Sequence, residues 1–154
     1  MKLVLENVKK LYDGTDGSAR ALHHNVDLVL ENGRVAALVP HRPGTPRDPA
    51  AQVVDASRYT VTPGLIDCHG HVTILGLREG DIGRMNGPAS ALWVEKVLHT
   101  TLVDGGVTTL RDVGGATHWM KRAVAEGVML GPRLKVSVCM LSSTGGHADF
   151  RGPD

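Results

Sequence analysis

Val61-Thr62-Pro63-Gly64-Leu65-Ile66-Asp67-Cys68-His69-Gly70-His71-Val72 is the stretch on which the reading of this 154-residue chain turns. Pro63-Gly64 breaks the chain, and the apolar run that follows predicts a strand over 65–75. Side chains alternate faces along a strand, so Asp67, His69 and His71 share one face while Cys68 and Gly70 point the other way. Two imidazoles two residues apart on a strand can reach one metal ion together, and glycine between them leaves room for tight packing behind. The pair alone decides little. With 8 histidines in the chain, chance supplies about 0.4 such pairs, so the flanking sequence must carry the argument.

Before the break, residues 1–62 predict short strands. Val4 to Val8 is apolar at alternate positions and is followed by the turn Tyr12-Asp13-Gly14. Val26 to Leu30 alternates too, with Asn25 and Asp27 facing away from Val26, Leu28 and Leu30. Glu31-Asn32-Gly33-Arg34 is a hairpin signal, because Asn-Gly accepts the positive φ of a type I′ turn. Val35 to Val39 is the return strand. Pro43, Pro46 and Pro49 make 41–50 a loop. Val53-Val54 and Tyr59 to Thr62 give two more short strands. The whole segment reads as a small β module.

After the break, strands and helices alternate, which implies a parallel sheet with right-handed crossovers. Pro88 to Val103 predicts a helix with Val94, Val97, Leu98, Thr101 and Leu102 on one face and Gly105 as its stop. Val107 to Val113 is a β-branched strand. Thr117 to Glu126 predicts a second helix, with Trp119, Met120, Ala123 and Val124 as its core stripe and Gly127 closing it. Past Gly131-Pro132, Leu134 to Leu141 is a third strand.

Composition narrows the function classes. Seventeen Lys and Arg against 16 Asp and Glu give a net charge of +1, with no argument for nucleic acid or an anionic membrane. No stretch approaches the roughly 20 apolar residues of a membrane helix, and the start is too short an apolar run for a signal peptide. Cys68 and Cys139 are too few for a disulfide framework and form no CxxC pair. A cytoplasmic protein with free thiols is the expectation.

With this context, residues 61–72 resemble the signature of the amidohydrolase superfamily, and Val53-Val54-Asp55-Ala56 fits its lead-in. Gly105-Gly106-Val107-Thr108-Thr109-Leu110-Arg111-Asp112-Val113-Gly114-Gly115 looks like that family's second barrel strand and loop. Gly131-Pro132-Arg133-Leu134, running into Ser142-Ser143-Thr144-Gly145-Gly146-His147-Ala148-Asp149, looks like its third, in the branch related to imidazolonepropionases and Xaa-Pro dipeptidases. The resemblance implies an α/β chain: an incomplete β-sandwich over 1–62, then about the first three strands of a (β/α)8 barrel over 63–154. It implies a divalent metal, zinc above all, on His69 and His71, and hydrolysis by metal-activated water of a C–N amide bond in a small peptide or cyclic amide.

Further candidates carry alternatives. Asp67 either orients a ligand imidazole or only bonds barrel backbone. Asp112 either lines the pocket or forms a structural pair with Arg111. His147 is a candidate substrate contact. His23, His24, His41, His99 and His118 read as solvated, and Cys68 as an inert buried thiol. A (β/α)8 barrel takes roughly 250 residues, and the family's bridging lysine, further histidines and proton-shuttling aspartate belong to later strands. Lys96, Lys121 and Lys135 are misplaced for the lysine. The chain is therefore expected to be an N-terminal piece, inactive alone and prone to self-association through an exposed strand edge. A truncated remnant without turnover and a non-catalytic metal-binding module are the alternatives.

Overall fold

A computed structural model of the chain describes residues 1–11, 25–74, 89–146, 148 and 149. The expectations for the turn at Tyr12, for His23, His24 and His147, and for positions 75 and 88 lie outside them. The chain is a mixed α/β structure that divides into two compact units, Met1–Pro63 and Gly64–Asp154.

The first unit holds a four-stranded sheet in the order β4-β3-β1-β5. Its strands are β1 (Lys2–Val8), β3 (Val26–Glu31), β4 (Arg34–Pro40) and β5 (Gln52–Asp55). β3 runs antiparallel to β1 and β4, while β5 is parallel to β1. β2 (Lys10–Leu11) pairs with β6 (Thr60–Val61). The hairpin between β3 and β4 has the predicted backbone: Asn32 at φ 52° and Gly33 at φ 75° both take the left-handed turn conformation. Val8, Val26, Leu28 and Ala56 form the core. Asp27 departs from expectation. It does turn away from Val26 and Leu28, yet it is 1% exposed, because residues of the 41–50 loop cover it.

The second unit holds a three-stranded parallel sheet, β7 (Leu65–Gly70), β8 (Val107–Asp112) and β9 (Arg133–Val136), in that order. Helix α1 (Ser90–Val103) connects β7 to β8, and α2 (His118–Ala125) connects β8 to β9. Val94 and Leu98 of α1 meet Leu110 and Leu134, in register on neighbouring strands, with Val72 and Ala116. Thr117 caps α2 by accepting from the Met120 N–H, and Gly127 closes it at φ 72°. At the end of α1 the left-handed residue is Gly106, φ 65°, one place beyond the expected Gly105.

Three expectations are corrected here. β7 and β9 are shorter than 65–75 and 134–141. β7 ends at Gly70 after a register shift between Asp67 and Gly70, and β9 ends at Val136, two residues before Val138 turns to φ 70°. Cys68 is not a buried thiol but an exposed one, since every residue of β7 before Gly70 is exposed. Trp119 is 63% exposed rather than core. The face of α2 that packs on the core carries Met120 and Val124, four residues apart. Trp119 lies about 100° round from Met120 and rests on the His118 ring instead.

Candidate metal centre

The register shift in β7 sits where the two histidines leave the strand. The Asp67 carboxylate accepts from the His69 N–H at 2.9 Å, so of its two expected roles the backbone bond is the one formed. Gly70 packs against Leu110; a Cβ there would lie 3.2 Å from a Leu110 methyl. The glycine between the histidines thus lets β7 seat closely on its neighbour.

His69 and His71 come together with ring centres 5.6 Å apart, edge to face. Both line one open cavity of about 770 Å³, with Val113, Ser137, Cys139, Met140, Leu141, Ser142 and Ala148 around it. Metal–imidazole bonds are about 2.0–2.1 Å, which puts two ring centres on a tetrahedral ion roughly 5 Å apart. The pair fits two positions of such an ion. His71 Nδ1 lies 2.9 Å from the Gly114 carbonyl oxygen. A carbonyl only accepts, so Nδ1 carries the proton and Nε2 keeps the lone pair that could accept a ligand. Cys139 lines the cavity but completes no three-ligand group with the histidines among the described residues.

Asp112 does not project into this cavity, and it does not pair with Arg111. Its side chain is fully buried and accepts backbone N–H groups from Val72, Gly114 and Ala116 at 2.7, 3.0 and 3.1 Å. Arg111 instead donates from Nε to the Cys68 carbonyl at 2.7 Å. Side-chain alternation signals neither arrangement, because the Val72–Asp112 and Arg111–Cys68 bonds both run to the backbone of another segment.

A second polar cluster lies in the first unit, and sequence reasoning missed it. Asp27 accepts from the Asn7 N–H at 2.8 Å and lies 2.8 Å from His41 Nδ1. Arg47 Nη2 donates to Asp27 at 2.5 Å and to Glu6 at 2.6 Å. His41 is therefore a half-buried partner of a carboxylate, not the solvated loop residue expected; His99 and His118 are exposed as expected. Glu6, Asp27 and His41 are close enough to hold a cation, but the Arg47 guanidinium already supplies the positive charge. Burial raises the Asp27 pKa, and the bonds from Asn7, His41 and Arg47 outweigh it, holding the carboxyl below its ordinary range.

Comparison with known proteins bears on the second unit most directly. The amidohydrolase family model matches residues 60–153. The imidazolonepropionase of Geobacillus kaustophilus is 30% identical over 106 residues, covering 66% of this chain and 21% of that protein. The 5-methylthioadenosine/S-adenosylhomocysteine deaminase of Shouchella clausii is 34% identical over 71 residues, 46% of this chain and 16% of that one. Among solved structures, a prolidase complexed with N-methylphosphonate-L-proline superposes with a TM-score of 0.79 at 32% identity, over 98% of this chain and 35% of the prolidase. The chain thus spans about a fifth of the length of the curated relatives and about a third of the solved one.

Proposed function

Because this chain belongs to the amidohydrolase family, we propose that His69 and His71 are ligands of a catalytic divalent metal, with zinc the first choice. The reaction is hydrolysis of a C–N amide bond in a small peptide or cyclic amide. The observation that carries the reading is the shared cavity, with two imidazole centres 5.6 Å apart and the His71 tautomer set by Gly114. A bound ion would polarise the amide carbonyl and lower the pKa of water toward 7. The chain's own residues do the positioning. Asp67 fixes the backbone of His69, Gly70 brings the strand close, and the Gly114 carbonyl, by accepting from Nδ1–H, would leave Nε2 of His71 to hold the ion. The same reading takes β7, β8 and β9 as the opening strands of a (β/α)8 barrel and residues 1–62 as part of a β-sandwich.

The substrate class is supported by relatives. The prolidase is complexed with N-methylphosphonate-L-proline, and the Geobacillus protein is an imidazolonepropionase. Two exposed free cysteines suit a reducing, cytoplasmic setting. No helix among the described residues is long and apolar enough to cross a membrane.

A catalytic zinc takes about three protein ligands plus water, and among the described residues the cavity offers two histidines. The 154-residue chain should therefore bind Zn²⁺, Mn²⁺ or Co²⁺ weakly, with one ion per chain, and hydrolyse dipeptides and cyclic amides no faster than background. Titration calorimetry reads the binding, and His69→Ala and His71→Ala should each abolish it. Metal binding that survives both substitutions removes the site from this pair. Metal-dependent turnover lost on His69→Ala would show that the chain assembles a complete centre, for instance between two copies.

A further inference from the structure

We propose that Asp112 is the positioning residue for the His71 imidazole, a role that rests on the metal-ligand reading above. Its carboxylate joins two segments that the sequence keeps forty residues apart. One oxygen accepts from the N–H of Val72, the residue directly after His71. The other accepts from the N–H groups of Gly114 and Ala116. Gly114 is also the residue whose carbonyl receives the His71 Nδ1 proton. The carboxylate therefore holds the backbone on both sides of the His71–Gly114 bond, and the Val113 N–H to Gly70 carbonyl bond, 3.0 Å, closes the same frame.

The chemistry asks for a carboxylate. Three donors converge on a fully buried side chain, and an ionised carboxylate is all acceptor. An amide in its place would turn an NH₂ toward at least one backbone N–H. The frame would open at Val72 or at the Gly114 loop, and either opening moves the imidazole relative to its carbonyl partner. Groups that orient a metal-bound histidine typically change metal affinity by 10–100-fold when removed.

The test uses the full chain with ¹⁵N-labelled histidine. Long-range ¹H–¹⁵N spectra of the metal-free protein read the tautomer of each ring, and calorimetry with Zn²⁺ reads affinity. Wild-type His71 should be the Nδ1–H tautomer. Asp112→Asn should lose that single tautomer and weaken zinc binding at least roughly ten-fold. Leu98→Ala, a core change of general destabilisation, should leave the tautomer unmoved. Should Asp112→Asn fail to fold, Asp112→Glu keeps the charge but moves the acceptor oxygens by one methylene from Val72, Gly114 and Ala116, and should give the same loss. A folded Asp112→Asn, or in its absence Asp112→Glu, with His71 and zinc affinity as in wild type overturns the proposal, as does a wild-type His71 that is not the Nδ1–H tautomer. If the wild type binds no zinc, the metal reading falls, and the tautomers still decide the role of Asp112.

Discussion

Asp27 shows at the scale of one residue how a buried charge is held. Its folded pKa lies below the ordinary value because Asn7, His41 and Arg47 favour the ionised form more than burial opposes it. A depressed carboxyl stabilises the fold above its unfolded pKa of about 3.9, and that stability is lost as pH falls through the lower folded value. Chemical denaturation followed from pH 7 down to pH 2 should show the first unit weakening below about pH 4. Asp27→Asn should lower stability at pH 7 by about 2 kcal/mol, the scale of a charged hydrogen bond, and flatten the acid limb of the profile. An unchanged acid limb would assign it to other carboxylates. Strand alternation places Asp27 opposite Val26, but not under His41 and Arg47. Those two come from a loop whose prolines mark it as irregular and say nothing of where it lands. The histidine pair was legible because its spacing and flanking residues lie within one short stretch of sequence, although His71 falls just past the end of β7.

At the scale of elements, helix faces were read well where spacing was strict and poorly where a large apolar residue was assumed to be inside. Leu98 is fully buried between α1 and the sheet, and Leu98→Ala should cost about 2–5 kcal/mol. Trp119→Ala, despite removing a larger side chain, should stay within about 0.5 kcal/mol of wild type, because the indole is largely in water. Thermal melts of the two variants side by side test the contrast, and a Trp119 variant as damaged as the Leu98 one would contradict the placement. The turns obey local chemistry. Gly33→Ala meets no neighbouring atom, so its cost is the left-handed conformation alone, about 1 kcal/mol, with metal binding untouched. The ends of β7 and β9 were misjudged because a bulge and a left-handed Val138 interrupt apolar runs that would pass for continuous strand.

For the whole molecule, β7 and β9 are the outer strands of the second sheet among the described residues. Leu65 and Ile66 on β7 are 60% and 67% exposed, and Leu141 beyond β9 is 96% exposed. Unpaired strand edges beside exposed apolar side chains favour association. Sedimentation velocity should show mass rising with protein concentration; a strict monomer at 100 μM would show that these edges are protected. The sequence by itself determined the α/β character, the family, the helix-facing positions of α1 and the nearness of His69 to His71. Each is set by periodicity or by a motif within a few residues. Only the tertiary structure decided that Asp112 serves the backbone around His71, that Asp27 holds His41 and Arg47, and that Cys68 and Trp119 face water. These outcomes depend on which distant segment arrives to donate a hydrogen bond or cover a surface, and local pattern carries no record of that arrival.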